Sequence, residues 1–387
     1  MTPLPRFRTI LPLILLVIAI SSYLFSDTAQ LQASGDHRMA LHKDEIAEYG
    51  TLDVSESLGL IPFAFAFPFL TIKTILETPF SVHRNKPWER RVGIAVVRFM
   101  TSWASIRQLQ WRQAPSMETY THWMFNQKME AAVDDLGDGS SLMWIGPRRY
   151  DRVILYLHVP RHLANAPTAP APFETFPTQL SQANSALAHL FSKGLTPQNT
   201  QIIGDTAGGN LALQIFAHAL HPGLLPALAP SPLAGTAPLA GALLLSPWVN
   251  PHAVGSTAGS FRENRNKDIM APATYRYWGA HGAPLHALPA AQHAFVAPIL
   301  APKGWYAGLE RAVRRVLLTA GAFECQRDDV LAFRQDALRE HGDAKVVLIA
   351  GGVEGDPVFD VVAANRGEGA HVPAEKAIVD WLRGGFE

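Results

Sequence analysis

One segment limits the fold of this 387-residue chain more than any other: Ile202-Ile203-Gly204-Asp205-Thr206-Ala207-Gly208-Gly209-Asn210. The run from Thr200 to Ile203 predicts a short buried strand, and Ala207 to Ala219 predicts a helix. Between them the chain has room only for a sharp, strained turn. Glycines flank its tip because a Cβ there would strike the neighbouring strands. Such a turn lifts Thr206 above the sheet edge and aims the backbone N–H of Ala207 at whatever lies there. Bare glycines at this spacing would be a packing motif. The strand before them and the helix after them carry the meaning.

Short apolar runs elsewhere supply more strands: 151–158, 239–245, 315–319 and 345–349. Helical patterns separate them over 178–193, 330–340 and 374–382. This alternation predicts an α/β fold with a mostly parallel central sheet and helices on both faces. Ligands of such sheets bind outside the carboxyl ends of the strands. The loops after His158, Gly204, Leu245, Thr319 and Ile349 all belong to that edge. The long connection 249–312 reads as a partly helical cap insertion. The expected organisation is therefore an N-terminal segment 1–26, a mainly helical region 27–150, and a core over 151–387.

Formal net charge is zero, and nothing in the sequence points to nucleic acid, a partner that requires a concentrated basic surface. Its single cysteine, Cys325, excludes an internal disulfide and any multi-cysteine zinc site. At the N-terminus, Arg6 and Arg8 precede an apolar run over 10–25. A run of roughly 16 residues is slightly short of the ~20 of a usual membrane helix. No A-x-A-like cleavage pattern follows it, which favours an uncleaved signal anchor over a cleaved signal peptide. Positive charge before the run keeps that end cytosolic and sends the rest to the lumen, here of the endoplasmic reticulum. A second apolar stretch over 58–76 contains Phe63, Phe65, Phe67 and Phe69 but is interrupted by Pro62 and Pro68. It reads as an interfacial segment, as a hydrophobic lid, or as a helix packed on the core.

Four motifs occur in order: the glycine-framed turn, Ser246-Pro247-Trp248-Val249, Glu324-Cys325-Gln326-Arg327-Asp328-Asp329, and Gly351-Gly352-Val353-Glu354-Gly355-Asp356-Pro357. Over roughly residues 80–385 the chain thereby resembles the fungal branch of the hormone-sensitive-lipase-like α/β-hydrolases, which includes membrane-anchored steryl acetyl hydrolases. The resemblance implies an α/β-hydrolase fold, hydrolysis of esters of hydrophobic small molecules, and no cofactor or metal. It also implies roles: nucleophile at Thr206, oxyanion donors at Ala207 and in the loop at His158, acid at Asp328 or Asp329 with Asp328 preferred, and base at Glu354. The plainer reading of Asp328 and Asp329 is that they cap the helix beginning near Val330.

Three of these positions depart from the family pattern. Thr206 stands where the family has serine, and a β-branched residue is an outlier at positive φ. The family's His-Gly-Gly-Gly loop is replaced by His158-Val159-Pro160-Arg161-His162, in which Pro160 has no N–H to offer. Losing one oxyanion donor costs about 10²–10³ in turnover. Glu354 stands where the family has histidine, and a carboxylate near ~4.3 is a poor base for a hydroxyl. His371, in the loop after the same strand, or His162 could substitute as base. The leading expectation is a hydrolase-family protein acting on a bulky apolar metabolite of a fungal secondary-metabolite pathway, its ordinary hydrolysis weakened or replaced. The alternatives are a catalytically inactive binding or scaffold protein on a membrane and, third, a conventional ester hydrolase.

Overall fold

Side chains alternate between the two faces of a strand, so a sheet covered on both faces needs strands that are apolar throughout. The two strands Gly241–Leu245 and Val316–Gly321 are buried along their whole length. They are central strands of the computed structural model, which describes residues 51–112, 116–157, 176–252, 259–282, 285–357 and 373–387. The chain divides into two compact units, 1–114 and 115–387.

The first unit contains α1 (Val54–Gly59), α2 (Ile61–Leu76), α3 (Trp88–Trp103) and α4 (Ile106–Arg112). Asp53 starts α1 with a capping box: its carboxylate accepts the Glu56 N–H at 2.7 Å, and Glu56 returns the bond to the Asp53 N–H. Pro62 sits in the first turn of α2, where its missing N–H costs nothing. Helix α2 pairs with α3, with the Phe63 and Phe99 rings edge-to-face at 5.2 Å. The stretch 54–76 is long and apolar enough to cross a membrane, and most of it is not buried. The apolar run 10–25 lies outside the described residues.

The second unit opens with α5 (Ser116–Asn126) and an antiparallel hairpin of β1 (Ala132–Asp135) and β2 (Ser141–Trp144). The Tyr120 hydroxyl ties α5 to both strands, accepting the Ala132 N–H and donating to the Trp144 carbonyl. Residues 115–150 thus pack with the core unit, whereas the sequence pattern grouped them with the helical region.

The main sheet is β3 (Val153–Leu157), β4 (Thr200–Asp205), β5 (Gly241–Leu245), β6 (Val316–Gly321) and β7 (Ala344–Ile349), all parallel and in chain order. Helices α6 (Thr178–Ser192) and α7 (Ala207–Leu220) connect the first three strands, and α11 (Arg327–Asp336) links β6 to β7. Along β5 to β6, the cap connection carries α8 (Gly259–Glu263), α9 (Pro272–Gly282) and α10 (His293–Val296). Ile202, Ala242, Leu244 and Leu318 point to one face, where Leu187, Phe216 and Phe333 of α6, α7 and α11 cover them. Leu243, Leu245 and Leu317 point to the other, where Ile378 and Trp381 of α12 (Pro373–Arg383) pack. The carboxyl ends of β4, β5, β6 and β7 converge on one edge.

Candidate active site

The turn from β4 into α7 works only with its glycines. A Cβ on Gly204 would overlap the Gly208 carbonyl, and one on Gly208 would overlap the carbonyl of Leu157 at the end of β3. The helix N-terminus is therefore pressed onto two strand ends, and Thr206 takes φ 52° and ψ −101° at the tip. A β-branched residue there stores of order 1–3 kcal/mol. Two backbone bonds hold it: the Thr206 N–H donates to Leu245 O, and the Trp248 N–H donates to Thr206 O, both at 2.9 Å. Ala207 follows as the first residue of α7, its N–H among those left free by the helix start.

The Thr206 hydroxyl donates to Glu354 Oε1 at 2.8 Å. Asp205 Oδ1 also lies at 3.1 Å from it. Glu354 is fully buried, and its other oxygen, Oε2, accepts the Tyr275 hydroxyl of α9 at 2.8 Å. A carboxylate thus spans two hydroxyls, one from the elbow and one from the cap.

A second buried carboxylate fixes this arrangement. Asp268, between α8 and α9, accepts the backbone N–H groups of Ile269 (2.8 Å), Cys325 (2.8 Å) and Glu354 (3.1 Å). It therefore binds the cap to both loops that follow β6 and β7. Those loops also bind each other, the Phe323 N–H donating to Gly352 O at 2.7 Å. A third, Glu324, three residues after β6, accepts the Ser246 hydroxyl at 2.5 Å and the Gly321 N–H at 2.7 Å. Ser246 ends β5 at φ 43°. Aromatic rings surround the group: Trp248 and Phe261 lie 6.1 and 5.6 Å from the Tyr275 ring, both edge-to-face. Among the described residues, no cluster of three or more His, Cys, Asp or Glu could hold a metal ion.

A parallel sheet in chain order, a glycine-framed strand–turn–helix with a hydroxyl at its tip, and carboxylates on the next loops form one arrangement. A family model described as alpha/beta hydrolase fold matches residues 169–354. The chain has the α/β-hydrolase fold. The matched region begins after β3, at residue 169. An esterase from the bacterial hormone-sensitive lipase family superposes with a TM-score of 0.55 at 18% identity, covering 76% of this chain and 97% of that one. A hormone-sensitive-lipase homologue, EstE7 from a metagenome library, gives 0.55 at 16% identity over 77% and 98%. No curated protein sequence matches.

Within this α/β-hydrolase fold, the sequence-derived site residues separate into three groups. Thr206 and Glu354 are hydrogen-bonded, and Ala207 adjoins them. Asp328 bonds elsewhere: it accepts the Ser260 N–H at 2.7 Å and pairs with Arg327, in the first turn of α11. Its neighbour Asp329 accepts from Asn250 at 3.0 Å, and burial raises its carboxyl above the ordinary range. These bonds tie α11 to α8 and to the loop after β5, and the carboxylate nearest the end of β6 is Glu324. His158, His162, Pro160 and His371 lie outside the described residues. Asp268 and Tyr275 escaped sequence reasoning because they sit inside the cap, more than sixty residues from Thr206.

Proposed function

We propose that this protein acts on a bulky apolar small molecule, with ordinary ester hydrolysis weakened or replaced. The observation that carries the reading is the Thr206 hydroxyl donating to Glu354. In a hydrolytic triad an imidazole near ~6.5 takes that proton and returns it to the leaving group, whereas an ordinary carboxylate near ~4.3 is a base weaker by about 2 pKa units, or about 3 kcal/mol. The methyl of Thr206 adds bulk where an acyl carbon would approach. The rings of Trp248, Phe261 and Tyr275 favour an apolar ligand. The similar structures include an esterase of the bacterial hormone-sensitive lipase family, in keeping with a small-molecule ligand.

Where hydrolysis is replaced, Glu354 serves as the base for an acidic carbon. Thr206 passes its own hydroxyl proton to Glu354 as it receives one from the ligand. A second reading, binding without turnover, draws on the near-complete burial of both Thr206 and Glu354. We further infer that residues 10–25 hold the chain on the endoplasmic reticulum membrane with the core lumenal, and that its ligand is a secondary metabolite. The test of the leading reading is hydrolysis of nitrophenyl acetate by the purified protein. It should be near the uncatalysed rate and unchanged by Thr206→Ala. Turnover at about ten per second or faster, an ordinary enzyme rate, that is abolished by Thr206→Ala would overturn it.

A further inference from the structure

The first unit presents an apolar stripe that its own fold leaves open. Leu58, Ile61, Phe65, Phe69, Ile72 and Leu76 follow one another at steps of three and four, so they form one line down α1 and α2. Each is between 52% and 76% exposed. Together they offer on the order of 700 Å², above the about 300–600 Å² of the largest patch on a typical soluble monomer. The opposite side of α2 is the one that meets α3, through Phe63 and Phe99. Phe80, 89% exposed, prolongs the apolar surface beyond the helix end, and Trp103 at the end of α3 is 74% exposed.

We propose that α1–α2 lies in the plane of a bilayer with this stripe in the acyl region, over headgroups that are partly anionic. Three observations select a lipid surface. Between Leu58 and Ile72 the line holds no charged or hydrogen-bonding side chain, whereas a protein interface carries about one hydrogen bond per 100–200 Å². The link from α2 into α3 is basic: it carries Arg84 and Lys86, with no acidic residue between Glu77 and Glu89. Such a cluster beside an apolar helix suits anionic headgroups. Exposed Trp103 is of the residue type that favours the membrane–water boundary. The helix lies in the surface rather than crossing it because α3, packed along it, carries Glu89, Arg90, Arg91 and Arg98. A spanning pair would have to take those charges into hydrocarbon. This surface is independent of the Thr206 site.

The full chain is labelled with a polarity-sensitive nitrobenzoxadiazole dye at Phe65→Cys or Phe69→Cys, with Lys303→Cys on the second unit as reference. Cys325 is buried and labels slowly. Vesicles of phosphatidylcholine, with or without 30% phosphatidylserine, carry spin-labelled acyl chains. Expected are a blue shift and quenching at 65 and 69 but not at 303, and binding at least about threefold stronger with phosphatidylserine. Arg84→Glu with Lys86→Glu should remove that gain. Vesicle-bound protein whose labels at 65 and 69 are quenched no more than at 303 would overturn the proposal while leaving the anchor at 10–25 standing. Absence of vesicle binding would overturn both. Labels already shielded without vesicles, in a particle of twice the chain mass, would assign the stripe to a second copy instead. Nitrophenyl acetate hydrolysis should be the same in every variant, so this result and the active-site reading can fail separately.

Discussion

Asp268 should be the costliest single carboxylate to remove from the site, although it touches neither the elbow nor the helix behind it. Its side chain is fully buried and accepts three backbone N–H groups, from Ile269, Cys325 and Glu354. Asp268→Ala removes the acceptor of these three bonds and of the 3.3 Å bond from the Tyr275 hydroxyl. A buried donor left without its acceptor costs about 1–3 kcal/mol, so three such losses amount to about 3–9 kcal/mol before relaxation. That is a large part of the ~5–15 kcal/mol by which domains are stable. Asp268→Asn is the graded control. Its amide oxygen can still serve Ile269 and Glu354, but its NH₂ then faces the Cys325 N–H. One bond to a charged group is lost, about 1.5–3 kcal/mol. Urea unfolding followed by tryptophan fluorescence measures both. With a slope near ~3 kcal/mol/M, the midpoint should fall by roughly 0.5–1 M for Asn and by more for Ala. Amide exchange at Glu354 should accelerate in the same order. An alanine variant within about 0.5 kcal/mol of wild type, the range of a neutral surface change, would refute the claim that Asp268 joins the cap to both loops.

Repair of the site should be cooperative, because triad members act as a unit. Thr206→Ser alone should leave nitrophenyl acetate hydrolysis nearly unchanged, and Thr206→Ser with Glu354→His should exceed it by at least about tenfold, a modest share of what a base supplies. Equal rates in the single and double variants would remove Glu354 from the base position and promote His371. Asp329 gives a pH signature. Burial raises its folded-state carboxyl above the ordinary aspartate value near 3.8. The folded state therefore holds its proton more tightly, and stability is lost as pH rises from that value through the folded one. Asp329→Asn should flatten stability against pH across that window and cost little at neutral pH. An unchanged slope would contradict the assignment.

The sheet was legible because β3 to β7 are short, largely aliphatic runs between helical patterns, and β5 and β6 are buried along their whole length. The hairpin was not. Ala132–Asp135 and Ser141–Trp144 are only four residues each, and the first is half polar, although Gly137-Asp138-Gly139 between them is a turn signal that could have disclosed it. Within the site, Thr206 and Glu354 stood out because a motif assigns their places. Glu324 was passed over for the Asp328–Asp329 pair, yet it lies three residues past β6, at the carboxyl edge where ligand groups collect, while those aspartates begin a helix. Asp268 and Tyr275 carried no local signal. Their roles arise from backbone N–H groups and a hydroxyl brought together only when the cap folds over the sheet.

The account rests on a hydroxyl that faces a carboxylate and is therefore not activated for attack. Intact-mass spectrometry after exposure to a fluorophosphonate, which captures activated serine and threonine hydroxyls, measures that directly. Wild-type protein should gain no adduct on Thr206 over hours, whereas the Thr206→Ser, Glu354→His double variant should gain one. Rapid, stoichiometric modification of Thr206 in the wild-type chain, abolished by Thr206→Ala, would contradict it.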